Sequence, residues 1–275
     1  MSNFLRPHEI AEAVVVAGKH QVERKLWPMF ILGILAGTYI AFGAQLSTVV
    51  NTGIAEHVGF GLSRFITGSV FTVGLIIVAV GGAELFTGNS IFIVGLLTGE
   101  ISLKQIFRNW GVVYAANLLG SLVIVFLVSQ TGLLDGAVGV TAIKIASVKV
   151  NLTFSQAFYR AILCNWLVCL AVWLTFGARD VISKIFAAYF PIMAFVTSSF
   201  EHCVANMYFI PIGIYLTDNP AVVAAAEIAP DKLANLTTYS FVMNNLLPVT
   251  LGNIVGGVVF VSVAYAFSYL KVGKQ

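Results

Sequence analysis

Glu84 and Glu201 stand inside long apolar stretches of a 275-residue chain. Each is followed five residues on by an asparagine, Asn89 and Asn206, and Glu201 is followed at once by His202. An ionisable side chain at membrane depth is costly and marks a polar path by default, and histidine is the side chain that exchanges a proton near neutrality. The other three histidines, His8, His20 and His57, fall in polar segments and read as solvated. Carboxylate and amide oxygens can accept from backbone N–H groups, and an asparagine amide can donate to carbonyls. The four residues Glu84, Asn89, Glu201 and Asn206 therefore suit the capping of a backbone whose helix is interrupted, and His202 suits proton exchange. Cys164, Cys169 and Cys203 lie inside apolar segments with no CxxC spacing, so they read as packing residues, with no metal, cofactor or disulfide framework.

The elements that must position these groups follow from composition. Hydrophobic residues make up 59% of the chain and charged ones 10%, against about 25% charged in a soluble domain; the mean hydropathy is +0.93. Such a chain needs lipid as its solvent. A net charge of +3 from fifteen basic and twelve acidic residues forms no basic block, which excludes nucleic-acid binding, and the apolar content excludes disorder. The first 25 residues lack the short apolar core of a cleavable signal and read as an amphipathic helix at the membrane interface, with Ile10, Ala13, Val14, Ala17 and Val22 on one face. Six apolar runs follow, over 26–50, 65–97, 110–129, 159–178, 185–216 and 246–270. The expected fold class is an all-α integral membrane protein of six transmembrane helices. With both termini inside, the inner segments hold Arg6, Lys19, Arg24, Lys25, Lys104, Arg108, Arg179, Lys184, Lys271 and Lys274. The outer ones hold Arg64, Lys144, Lys149, Arg160 and Lys232. That bias predicts cytoplasmic termini and, for a bacterial-type cell, the inner membrane.

The second and fifth runs are each about 32 residues, near 48 Å as one helix, against a hydrocarbon core of about 30 Å. Both carry their glutamate in the interior, so both are expected to be broken helices. The third and sixth runs repeat as well. Asn109 and Asn117 precede Leu118-Leu119-Gly120-Ser121, and Asn245 and Asn253, equally spaced, precede Ile254-Val255-Gly256-Gly257. Halves of three crossings must run in opposite orientations, giving an inverted repeat, residues 26–129 and 158–270 within a single domain, with a transport site at its midplane.

Two other classes fit the sequence less well. An intramembrane enzyme lacks support, since HExxH and GxSxG are absent and Glu201-His202 has no second histidine nearby. A water or glycerol channel would carry paired Asn-Pro-Ala loops, whereas Asn219-Pro220-Ala221 occurs once, in an outer loop.

Three strings, Ala83-Glu84-Leu85-Phe86-Thr87-Gly88-Asn89, Cys164-Asn165-Trp166-Leu167-Val168-Cys169-Leu170-Ala171-Val172-Trp173 and Phe200-Glu201-His202-Cys203-Val204-Ala205-Asn206-Met207, closely resemble signatures of the formate/nitrite transporter family. The resemblance runs from about Val22 to Leu270. It implies an aquaporin-like protomer in a homopentamer, each with its own pore for a small weak-acid anion, and protons as a second partner. It places Thr87 and His202 together at the pore centre, with Asn165 a polar neighbour. It implies a cytoplasmic constriction of Phe71, Leu75 and Val168 and a periplasmic one of Leu85, Phe86 and Phe195, with Lys149 drawing anions inward. The Phe-Glu-His string and its continuation Met207-Tyr208-Phe209-Ile210-Pro211 look like formate members, with nitrite and hydrosulfide as the alternatives.

Overall fold

A helix satisfies its own backbone hydrogen bonds, which is what lets an apolar run cross a medium without water. The computed structural model describes residues 4–273, so Lys274, one of the inner charges of the sequence reading, lies outside the described residues. Helix α1 (Pro7–Val22) leads into α2 (Leu26–Asn51), α3 (Phe60–Gly81), α4 (Gly88–Leu97) and α5 (Leu103–Ser129). Then come α6 (Ala137–Val150), α7 (Phe154–Gly177), α8 (Val181–Thr197), α9 (Cys203–Leu216) and α10 (Thr238–Tyr269). Helices α2, α3, α5, α7 and α10 are each long and apolar enough to cross a membrane; α8 is a shorter apolar helix, and α9 passes the same test together with Pro220–Ala226, to which it is bent by 110°. The molecule is an all-α membrane protein; among the described residues the one strand-like feature is the isolated bridge between Phe4 and Ala178.

Both breaks fall at the glutamates. Helix α3 ends at Gly82, whose φ of 77° stops the helix, and residues 83–87 run irregularly into the 3₁₀ turn that opens α4. Between α8 and α9 the chain turns through Ser199 at φ 59°, a region uncommon for a residue with a Cβ. Arg64 holds this turn by donating to the carbonyls of Val196 and Thr197 and to the Ser199 hydroxyl. After each break the chain passes to the opposite half: α4 packs on α7 and α10, and α9 on α2 and α5.

Close helix contact within each half rests on matched glycines. Helices α2 and α5 meet where a Cβ on Gly37 or Gly120 would strike the carbonyls of Asn117 and Ile34. Helices α7 and α10 meet where one on Gly252 or Gly256 would strike those of Phe158 and Ile162. Small residues at such crossings let backbones approach, the main source of helix association in lipid.

The structure departs from the sequence reading in three places. Helix α6 occupies what reads as an outer loop; its apolar content is interrupted by Lys144 and Lys149, yet Ala142, Ile143, Ala146 and Val150 are buried against α9. Like α1, it is a short helix that precedes a set of apolar runs. Helix α1 packs on α4 and α7 through Ile10, Ala11, Val14, Gly18 and Val22; Ala13 and Ala17 lie at the edges of this face and are only half-buried. The last crossing begins at Thr238 and contains two π-helical stretches, Phe241–Leu246 and Val258–Val263.

Candidate functional site

The two breaks are held by the same set of side chains. In the first, the buried Glu84 carboxylate accepts from Arg24 at 2.5 Å, from Asn89 Nδ2 at 2.8 Å and from Asn109 Nδ2 at 3.2 Å, and Asn89 also donates to Asn109 Oδ1 at 2.9 Å. In the second, Glu201 accepts from Lys149 at 2.9 Å, Asn206 Nδ2 at 2.7 Å and Asn245 Nδ2 at 3.4 Å, and Asn206 donates to Asn245 Oδ1 at 2.7 Å. A buried carboxylate persists only with a cation and further donors around it, and each has both. Glu84 thus bonds with Asn89 and Glu201 with Asn206, and each glutamate also bonds with a cation.

Capping of the freed backbone, expected of those four, falls to a different pair. Asn117 accepts from Phe86 N–H at 2.9 Å and donates to the carbonyls of Gly33 at 2.8 Å and Glu84 at 3.0 Å. Asn253 accepts from Cys203 N–H at 2.9 Å and donates to the carbonyls of Ala161 at 2.8 Å and Glu201 at 3.0 Å. In the sequence both stand out only as markers of the repeat.

At the centre, where α4 and α9 begin, Thr87 Oγ1 and His202 Nε2 are 2.9 Å apart, with residue exposures of 0% and 3%. His202 Nδ1 accepts from Ala205 N–H at 3.0 Å, so the neutral ring carries its proton on Nε2 and donates it to Thr87. The Thr87 hydroxyl hydrogen is left to face another acceptor. Asn165 reaches this pair through backbone: its Nδ2 donates to the carbonyls of Thr87 at 3.2 Å and Asn253 at 2.7 Å, while its Oδ1 is buried without a partner.

Two vestibules approach the pair. The one on the α1 side, about 270 Å³, is lined by Gln21, Leu75, Leu85, Val172 and Lys184 among others. The opposite one, about 290 Å³, reaches Phe71, Phe195, Phe209 and His202. Between them lies a space of about 10 Å³ enclosed by Ile40, Phe71, Leu75, Leu85, Val168, Ile192, Phe195 and His202, room for about one water. The path is closed to anything larger.

The constrictions are composed differently from what the resemblance implied. Phe71 packs edge-on against Phe195 at 5.7 Å and faces the vestibule opposite α1, whereas Leu85 joins Leu75 on the α1 side. Phe86 lines none of these three spaces; its ring packs on Tyr114 at 4.8 Å and Trp110 at 5.9 Å. Leu85 is thus turned to the pore and Phe86 away from it.

Lys149 is also recast, since its ammonium is paired with Glu201 and lies 5.3 Å from the Phe209 ring centroid. The uncompensated charge of that vestibule belongs to Arg64, Lys144 and Arg160, which line it beside a single acid, Glu201. None of the three pairs with a carboxylate among the described residues. In the sequence these three stand among the outer charges, with only a topological role.

Comparisons with known proteins bear on this arrangement. A family model described as formate/nitrite transporter matches residues 8–267. A probable formate transporter of Methanothermobacter thermautotrophicus is 42% identical, the match covering 98% of this chain and 99% of that protein. Formate channel FocA of Escherichia coli (strain K12) is 35% identical, covering 98% and 96%. Among solved structures, a pentameric formate channel with formate bound is 41% identical and superposes with a TM-score of 0.79 over 90% of this chain and 98% of that one.

Proposed function

The chain belongs to the formate/nitrite transporter family, and from that premise we propose that it carries formate across the cell membrane as a pentamer of independent pores, with a proton exchanged at His202. The observation that carries this reading is the buried Thr87–His202 pair, 2.9 Å apart, between two apolar rings and two vestibules. Relatives named for formate at 35% to 42% identity over nearly their whole length support the substrate, and the pentameric neighbour supports the assembly. A family of transporters also sets aside the intramembrane-enzyme reading.

Magnitudes favour a neutral crossing. Burying an ion in the dry space between Phe71 and Leu85 costs several kcal/mol after relaxation, and about 20 in the ideal limit. Protonating a carboxylate of ordinary pKa about 4 at pH 7 costs about 4 kcal/mol, after which a small neutral acid passes the rings with far less loss. Arg64, Lys144 and Arg160 concentrate the anion in the vestibule opposite α1. At the centre the Thr87 hydroxyl donates to it, and Nε2–H of His202 becomes a second donor when the anion displaces Thr87. A neutral ring cannot give up its only N–H proton, since that would leave an imidazolate. His202 first takes a proton from a vestibule at Nδ1, releasing the Ala205 N–H, and the imidazolium then passes its Nε2 proton to the anion, directly or through one water. Loss of the Nδ1 proton to vestibule water and return of one to Nε2 restores the starting tautomer. The basic residues on the α1 side support an orientation with cytoplasmic termini, in the inner membrane of a bacterial-type cell.

The test is uptake into proteoliposomes of formate, nitrite and hydrosulfide side by side across pH. Formate is expected to lead, with rates rising as pH falls, and His202→Phe is expected to abolish that pH dependence. Wild-type-like, pH-dependent formate uptake by His202→Phe would sink the mechanism, and faster nitrite or hydrosulfide uptake would sink the substrate.

A further inference from the structure

Away from the pore, one groove on the outer face of the bundle is apolar throughout and bordered by cations. It encloses about 430 Å³ and is lined by Leu26, Trp27 and Phe30 of α2 and by Gly111, Val112 and Ala115 of α5. Lys25 caps α2 at its mouth. Arg108 and Lys104 precede Gly111 and Val112 by one and two turns on the same face of α5. Lys25 and Lys104 are exposed and engage no side-chain hydrogen bond or ion pair among the described residues. Arg108 donates from Nη1 and Nη2 to the carbonyls of Val22 and Arg24, which leaves further N–H donors of its fork unused. Arg24 is already paired with Glu84, and no carboxylate lines the groove.

The occupant must therefore offer both a long apolar body and a negative head. Apolar side chains of a second copy of the chain could fill the groove, but apolar packing alone offers the cations at its mouth no partner. A membrane lipid offers both parts in the required order, because the groove runs from the charged edge into the apolar part of α2 and α5. Trp27, 72% exposed and edge-on to Phe30 at 6.3 Å, stands at the boundary where tryptophan is enriched. Attraction of juxtamembrane basic side chains to anionic headgroups supplies the selectivity.

We propose that this groove is a binding site for an anionic glycerophospholipid, one acyl chain lying over Gly111 and the phosphate held among Lys25, Lys104 and Arg108.

Gly111 gives a clean probe, since a Cβ there meets nothing within 4 Å and a larger side chain fills the groove without displacing its walls. Delipidated protein in detergent is offered equal dioleoyl phosphatidylglycerol and dioleoyl phosphatidylcholine, and retained lipid is counted by native mass spectrometry. Wild type is expected to retain phosphatidylglycerol preferentially. Lys25→Gln with Lys104→Gln is expected to reduce that preference about 25-fold, about fivefold for each lysine. Gly111→Leu is expected to lose the bound lipid while keeping its oligomeric mass and its formate uptake. Equal retention of the two lipids by wild type, or undiminished retention by Gly111→Leu, would overturn the proposal. So would dissociation of the Gly111→Leu oligomer, which would make the groove a contact between subunits.

Discussion

Replacing Asn117 by leucine keeps the side-chain volume nearly constant and removes three buried hydrogen bonds, those to Phe86 N–H and to the Gly33 and Glu84 carbonyls, at 2.8 to 3.0 Å. Interhelical hydrogen bonds in lipid average about 0.6 kcal/mol each, which gives about 2 kcal/mol as a floor. That average assumes the orphaned groups find other partners. Phe86 N–H and the Glu84 carbonyl lie in irregular backbone where no helix supplies one, and an unpartnered buried group costs about 1–3 kcal/mol. A loss of about 4 kcal/mol is expected. At about 2–4 °C per kcal/mol for a chain of this size, the midpoint of heat-induced loss of the oligomer, followed by tryptophan fluorescence on size-exclusion, should fall by about 10 °C. The bonds of Asn253 match those of Asn117 in type and length, so Asn253→Leu should show a loss of similar size. Both variants should also lose uptake, because Thr87 and His202 are each adjacent to a residue whose backbone these asparagines hold. Two midpoints within about 2 °C of wild type would refute the energetic argument. A large loss for one variant with none for the other would refute the equivalence of the two breaks.

The charges opposite α1 give a second expectation: Arg160→Gln should raise the apparent KM for formate about twofold at low salt with kcat unchanged, roughly the effect of one unit charge about 10 Å away in water. The increase should vanish at 1 M salt. Lys149→Gln should instead lower kcat and oligomer stability by leaving Glu201 buried without its cation, and a pure KM effect would contradict that assignment. The third concerns the docking of α1, whose Lys19 donates to Glu100 at 2.9 Å. That hydrogen bond and the charge behind it hold the Glu100 carboxyl below its ordinary 4.5 and raise the Lys19 ammonium above 10.5. The contact is therefore present between these values, is lost as pH falls through the lowered Glu100 value, and is lost again as pH rises through the raised Lys19 value. Amide exchange of α1, corrected for the intrinsic rate, should accelerate below about pH 4.5 in wild type, and Glu100→Gln should show no such step.

The pore was legible in the sequence to the degree that its chemistry could not be hidden by lipid. A glutamate or histidine inside an apolar run has no neutral explanation, so Glu84, Glu201 and His202 located both breaks before any coordinates. Helix α6 was not legible, because fourteen residues of small apolar side chains with two lysines have neither the length nor the purity of a crossing. Its place becomes evident only when Lys149 is seen to meet Glu201 as Arg24 meets Glu84. Facing was the other gap. Leu85 and Phe86 are both apolar neighbours of Thr87, and no pattern of hydropathy tells which of two such residues an irregular backbone turns toward the pore. That choice is made by Asn117, thirty-one residues away, which takes the Phe86 N–H. In lipid an unpaired amide is dearer than a misplaced apolar ring, so the backbone hydrogen bond orients the segment and the side chains follow. The asparagines repeated as Asn117 and Asn253 are therefore where the sequence holds the pore's geometry, and they carry it through polar bonding that hydropathy does not register.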